Sequence, residues 1–392
     1  MSDLGTFAEW FNAAAVHGPF VFYKSVYCDY PPFNVYIFWS FGSLSRLLSL
    51  QTSRALIYVL KLPSTIFDTA TSGLIFLFLR KRISFDSSLL ATSFYAFNPA
   101  TIFNVSIWGQ YDAIYTFFLV ASIILIIEWK PILSVGAFTV AVLTKPQSIA
   151  LAPLIVFLLV RKKNWKTVAI SVATSAALVL VVSAPVSLND LSNFLVTIYL
   201  RGYTSYAYTS ANAFNVWVLV GLWKPDSQTV LSISLFDIGW IMFGALTAVS
   251  LYYLYKVTRG KKPSERAFEV AVLFTAFVLL FGFFMLPTRI HERYLFPVFS
   301  FLVMMLPFAK RVRPLYGMLT FTYLANLAYV LPVVNSNQTW ITNISPFIYA
   351  ITAVNLAAFI YTLALMARKP ETPNAAMLIK SVERQKLESK GH

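Results

Sequence analysis

Two carboxylates, Asp3 and Asp29, stand in the first thirty-six residues, a stretch too polar to cross a bilayer but rich in Phe, Tyr and Trp. Farther along, other polar residues sit beside apolar runs: Gln110 and Asp112, Lys145 and Gln147, Arg201, then Arg289, His291, Glu292 and Arg293. A carboxylate near a hydroxyl can serve as general base, and cations can stabilise a phosphate that gains charge as it departs. Together these types suit moving a sugar from a lipid phosphate. Such a phosphodiester carries one negative charge and the departing monoester develops a second, so cations can replace a general acid, and the acceptor hydroxyl loses one proton. Each residue also has a plainer reading. Asp3 could cap a helix, and Asp29 before Tyr30-Pro31-Pro32 could begin a turn into one. Gln110 and Asp112 could hydrogen-bond between helices, Lys145 could snorkel to the interface, and His291 could be a satisfied interfacial histidine.

Membrane helices must position these groups. Only 12% of the 392 residues are charged and 58% are hydrophobic, against about 25% charged in a soluble globule. This predicts an all-α polytopic membrane protein. A clear apolar run spans 55 to 79, and others follow at 88 to 107, 112 to 128, 131 to 145, 147 to 161, 165 to 187, 229 to 255, 267 to 286, 293 to 309, 313 to 333 and 346 to 367, about eleven crossings. Residues 33 to 53 suit an interfacial helix. Alternation places Arg80-Lys81-Arg82, Lys130, Arg161 to Lys166, the Lys256 to Arg266 loop, Lys310 to Arg313 and the tail from Arg368 on one side. That side holds 22 of the 31 basic residues and is expected to be cytoplasmic. The net charge of +15 is thus mostly positive-inside charge, and nucleic-acid binding drops out. The opposite, external or lumenal side collects the residues named first, with the acceptor triplets Asn337-Gln338-Thr339 and Asn343-Ile344-Ser345. Asp68, Asp237 and Glu269 fall within runs and are expected to pair between helices.

This divides the chain into an external loop with interfacial helices (1–54), a transmembrane domain (55–367) with an aromatic external cap (188–228), and a basic cytoplasmic tail (368–392). The N-terminus then falls outside, and a further helix before Met1 is expected. The two short runs that meet at Thr144-Lys145-Pro146-Gln147 should border a cavity, since broken backbone is not tolerated against lipid. With one cysteine, Cys28, the chain can form no internal disulfide, and its three histidines make no zinc spacing.

Several segments, in order, resemble the GT-C class of membrane glycosyltransferases that use polyprenyl- or dolichyl-phosphate sugars. Asp3 with Trp10, Gly18-Pro19, Tyr23 and Asp29-Tyr30-Pro31-Pro32 is similar to their first external loop. Asn98-Pro99, Trp108-Gly109-Gln110-Tyr111-Asp112, Lys145-Pro146-Gln147, Ser210-Ala211-Asn212-Ala213-Phe214-Asn215 and His291-Glu292-Arg293-Tyr294 resemble the mannosyltransferase and GPI-mannosyltransferase-related branch. The Asp-Tyr-Pro-Pro and His-Glu elements are also similar to dolichyl-phosphate-glucose glucosyltransferases. The resemblance runs from residue 3 to about 297.

It implies an inverting hexosyltransferase, with mannose or glucose moved from a polyprenyl-phosphate donor to a lipid-linked or membrane-proximal acceptor. Asp3 matches the catalytic base and Asp29 the second acid of that loop. Lys145, Arg201, His291 and Arg293 are read as holding the donor phosphate; Gln110, Asp112, Gln147 and Glu292 as placing sugar or acceptor. No cofactor is expected, and a divalent cation held by Asp3, Asp29 and Asp112 is not favoured. The protein is expected in the plasma membrane of a prokaryote or the endoplasmic reticulum of a eukaryote. A lipid or solute transporter would share the helix count and the helix break, but should show two matching halves, and none is evident. A non-catalytic subunit would tolerate loss of the carboxylates.

Overall fold

The structure, a computed structural model, describes residues 3–52, 54–187, 189–259, 264–336, 341 and 344–368. In chain order the helices are α1 (Asp3–His17), α2 (Phe22–Ser25), α3 (Phe33–Leu47), α4 (Leu56–Arg80), α5 (Phe85–Ala96), α6 (Pro99–Ile102), α7 (Asp112–Ile127), α8 (Pro131–Thr144), α9 (Ala152–Arg161), α10 (Trp165–Ser183), α11 (Leu191–Thr204), α12 (Leu235–Thr258), α13 (Glu265–Met285), α14 (Val298–Met305), α15 (Arg313–Asn335) and α16 (Pro346–Ala367). A two-residue antiparallel pairing of Thr229–Val230 with Ile233–Ser234 is the strand content of the described residues. The chain is an all-α polytopic membrane protein.

Six helices, α4, α10, α12, α13, α15 and α16, are long and apolar enough to cross a membrane, and α7, α8 and the segment Pro146–Arg161 are shorter apolar helices. The two remaining runs are not continuous spans. Residues 88 to 107 break into α5, α6 and a π-helical turn, Phe103–Trp108. The break starts where Asn98 caps α6, accepting from the Ala100 amide (2.9 Å), with Pro99 in the first turn. The run 293 to 309 yields the eight-residue α14, every residue of which is buried, as a helix apolar on all faces should be. Helix α13 is the central post: sixteen of its residues are buried, Phe274, Phe277 and Phe281 among them.

The two ends of the bundle differ in charge. At one end Lys81 and Lys130 both pair with Glu128 (2.6 and 3.2 Å). There Arg82 and Arg266 clamp Glu269 (2.6 and 3.0 Å), and Lys162 lies 3.3 Å from the Trp129 ring centroid. These contacts bring the basic loops together as alternation requires. Asp68 accepts from the Tyr95 hydroxyl of α5 (2.8 Å) and Glu269 pairs with Arg82, so both bridge elements as expected. Asp237 does not. It lies exposed in the first turn of α12 and accepts from Ser234, the capping residue, so its role is local. The Asn337 triplet, Asn343 and the tail beyond Arg368 lie outside the described residues.

Candidate active site

The opposite end is assembled around the loop before α3. Trp10 of α1 donates to the Tyr27 carbonyl (2.8 Å), and the Tyr23 hydroxyl donates to the Tyr30 carbonyl (2.6 Å). Asn34 donates to the carbonyls of both Pro31 and Thr144 (3.0 and 2.6 Å). That second bond ties the Asp29-Tyr30-Pro31-Pro32 loop to the end of α8, which Lys145 follows. Tyr30 packs against Phe7, Trp10 and Phe38, and Lys145 Nζ lies 5.3 Å from its ring centroid. Loop rigidity here comes from aromatic burial and four directed hydrogen bonds.

The Trp108-Gly109-Gln110-Tyr111-Asp112 segment begins where the π-helical turn ends. The Asn104 carbonyl accepts from the amides of both Gly109 and Gln110 (3.0 Å each), and Gly109 takes φ +84°, where a Cβ would meet Leu4 Cδ2 at 2.9 Å. The turn presents the Trp108 and Gln110 side chains to Asp3, whose Oδ2 accepts from both (2.9 and 2.5 Å). Asp112 opens α7, where the helix dipole favours a carboxylate. Fully buried, it pairs through Oδ1 with Lys145 Nζ (2.8 Å) and accepts through Oδ2 from Asn104 (3.3 Å).

The third wall is the segment after α13. Arg289 pairs with Asp226 (2.7 Å) and donates to the Tyr203 carbonyl (3.0 Å), fastening the cap to this wall. Ser210 to Asn215 cross-braces the same region. The Ala211 amide donates to the Ile290 carbonyl (2.9 Å), Asn215 to Phe284 (3.0 Å), and Asn326 of α15 accepts from the Phe214 amide (3.0 Å). His291 follows, its ring edge-on to Tyr206 with centroids 4.5 Å apart. Arg293 pairs with Glu292 (2.9 Å) and keeps a buried Nε with no hydrogen-bond partner among the described residues.

A cavity of about 210 Å³ lies between these walls, and Asp29, Lys145, Gln147, His291 and Arg293 line it, with Tyr203, Tyr206, Trp240 and Phe283 supplying aromatic surface. Five of the ten residues given a site role from the sequence thus share one cavity, and Arg289 lines it as well. Asp112 and Glu292 stand behind it as counter-ions to Lys145 and Arg293, and Gln110 holds Asp3. Arg201 lines a separate crevice with Tyr23, Asp190 and Asn193, its guanidinium 5.2 Å from the Tyr27 ring centroid. Burial pushes the Asp29 carboxyl above its ordinary range, opposed by its own amide and by Arg293, Lys145 and Arg201. Burial, with Arg293 and Lys145 adding to it, holds His291 well below its ordinary value and therefore neutral. Burial also raises Glu292, against the pull of Arg293. Among the described residues, no group of three or more His, Cys, Asp or Glu is placed to hold a metal ion.

Sequence reasoning missed Asn34, Asn104, Asp226 and Tyr323. Asn34, two residues beyond the Pro31-Pro32 pair, at least stood next to a motif. Asn104 lay inside an apolar run and Tyr323 inside α15, with no local signal.

Fold and site together define a multi-pass membrane protein with a polar, ion-paired cavity at the end of its bundle away from the basic loops. The profile of glycosyltransferase family 87 matches residues 27–282, more than half of the chain, and the protein belongs to that family. It is a membrane glycosyltransferase, which sets aside the transporter and non-catalytic readings. The matched span contains Asp29, Gln110, Asp112, Lys145, Gln147 and Arg201; Asp3 and the 291–293 segment lie beyond its ends. No curated protein matches the chain.

Proposed function

We propose that the protein transfers a hexose, with inversion, from a polyprenyl-phosphate sugar to a lipid-linked or other membrane-proximal hydroxyl, on the external or lumenal face. One observation carries this reading. Asp29, a carboxylate with no side-chain partner among the described residues, lines the same cavity as Lys145, His291 and Arg293. In the reaction the acceptor oxygen attacks the anomeric carbon, the bond from that carbon to the phosphate oxygen breaks, and the hydroxyl proton passes to the carboxylate. Asp29 is favoured as the base over Asp3, because Trp108 and Gln110 already engage one oxygen of Asp3. Asp3 then holds the Trp108–Gln110 turn against α1.

Lys145 and Arg293 meet the phosphate as it gains its second charge, the neutral His291 offers a hydrogen bond, and Gln147 faces the sugar. Asp112 and Glu292 position the two cations. Arg201 lines a separate crevice and is not assigned to the phosphate. The basic end of the bundle faces the cytoplasm.

Purified protein, incubated with labelled polyprenyl-phosphate mannose or glucose and membrane lipid extract, should give a labelled lipid product from one of them. Asp29→Asn should lower the rate about 10²- to 10⁴-fold. Absence of transfer from either donor, or full activity in both Asp29→Asn and Asp3→Asn, would overturn the proposal.

A further inference from the structure

Asn104 sits on the π-helical turn Phe103–Trp108 and is fully buried. Its side-chain NH₂ uses both hydrogens. One reaches Asp112 Oδ2 (3.3 Å) and the other the Tyr323 hydroxyl of α15 (3.0 Å). Asp112 in turn holds Lys145, and the Tyr323 hydroxyl donates to the backbone carbonyl of Arg293 (3.2 Å). A single amide therefore touches the supports of two of the three cations that line the cavity, Lys145 and Arg293; the third, Arg289, is held separately by Asp226. Its orientation is forced, because the reversed amide would set its oxygen against the carboxylate. That orientation leaves Oδ1 buried and without a partner among the described residues. Such an orphan acceptor costs about 1–3 kcal/mol. A leucine would fill the space without that penalty, so packing does not account for an asparagine here. π-Helical turns concentrate at functional sites, and this one aims Asn104 inward while its carbonyl gathers the Gly109 and Gln110 amides.

The geometry points to Asn104 as the positioning residue that sets the spacing of Lys145 and Arg293, acting through Asp112 on one side and Tyr323 on the other. The inference rests on the reading that those two cations hold the phosphate of the donor. Without the amide, α7 and the 291–295 segment lose their common tether, and the two cations no longer match one phosphate group.

The test compares wild type, Asn104→Leu, Tyr323→Phe and the double variant in detergent, with thermal unfolding confirming that each is folded. Binding of a polyprenyl monophosphate is measured directly, and KM is measured separately for the sugar donor and the acceptor. Asn104→Leu should weaken polyprenyl-phosphate binding and raise donor KM about 10- to 100-fold, a range set by sub-ångström misplacement of a clamp. Acceptor KM should stay within about twofold, because the cations do not touch the acceptor. Combined with Tyr323→Phe, the losses should fall short of additive, as for two groups in one network. Losses that simply add, or that affect donor and acceptor alike, overturn the inference, as does a folded Asn104→Leu that binds the phosphate lipid like wild type. Wild type that neither binds the phosphate lipid nor transfers sugar refutes the underlying reading instead.

Discussion

Asp112→Asn is the most informative single change, because it separates what holds the site from what works in it. The Lys145–Asp112 pair spans 2.8 Å, and the side chains are 5% and 0% exposed. At an effective dielectric of about 20, the attraction across that distance is about 6 kcal/mol, before the cost of removing both groups from water. Removing one partner of a buried pair typically destabilises by about 3–5 kcal/mol, since the other charge is left stranded. Asparagine keeps a hydrogen bond to Lys145, which places the expected loss at the lower end, about 3 kcal/mol, read from reversible unfolding in mixed micelles. The double variant Asp112→Asn/Lys145→Met removes the stranded charge and keeps the volume, so most of the stability should return. Activity should not return with it, because Lys145 is assigned to the phosphate. A double variant that is both stable and fully active would remove Lys145 from the chemistry. An Asp112→Asn protein as stable as wild type would show that the pair is not desolvated.

Three further outcomes follow from the same geometry. For Asp29 the folded-state pKa is raised, so between the ordinary value and the raised one the folded protein binds more protons than the unfolded chain and stability falls as pH rises; Asp29→Asn should unfold no earlier than wild type at neutral pH, while the acid limb of the wild-type rate profile, set above the ordinary carboxylate range, disappears with the activity. His291 is held neutral by burial. With its folded-state pKa depressed, it contributes stability above the ordinary histidine range that is lost as pH falls toward the folded value; NMR titration of a ring-labelled sample should show no protonation between about pH 6 and 8, and His291→Gln should stay within about tenfold of wild type while His291→Phe does not. At Gly109, φ is +84° and a Cβ would approach Leu4 Cδ2 to 2.9 Å; Gly109→Ala should cost about 1–2 kcal/mol from the left-handed backbone alone, checked by thermal unfolding, and lower activity by displacing the Trp108–Gln110 hooks from Asp3.

The fold was legible because its signals are local. Apolar runs, basic stops and the Lys145-Pro146 break each announce themselves within a few residues, and the structure gathers the basic loops at one end through Glu128 and Glu269. Two runs misled for a physical reason. Within 293 to 309, residues 298 to 305 are apolar all round because they are buried in protein, and α14 is only eight residues long. Within 88 to 107, Asn98 caps a new helix and Asn104 shapes a π-turn, both backbone events that hydropathy cannot register. The site was legible in its residue types, since Asp29, Lys145, Gln147, His291 and Arg293 do meet. Its connections were not. Asn104 reaches Tyr323 and Asn34 reaches Thr144 across sequence separations of 219 and 110 residues, distances over which spacing carries no information.

The electrostatics also came out differently from what the sequence implies, in a way that bears on mechanism. Read in sequence, Lys145, Arg289, His291 and Arg293 look like a pool of positive charge. In the fold Lys145 is matched by Asp112, Arg289 by Asp226 and Arg293 by Glu292, while burial keeps His291 neutral. A cavity with three balanced pairs and one unpaired carboxylate, Asp29, carries no excess positive charge to draw in any passing anion. On the proposed reading, a phosphodiester with one charge is therefore held only modestly, by the parts of Lys145 and Arg293 that line the cavity. The monoester, with two, gains more from the same oriented groups, which need no reorganisation as the bond breaks. Interactions that strengthen as charge develops lower the barrier, whereas a strongly cationic pocket would spend its attraction on the ground state. On that reading, the counter-ions behind the cavity turn a site for binding phosphate into one that favours its departure.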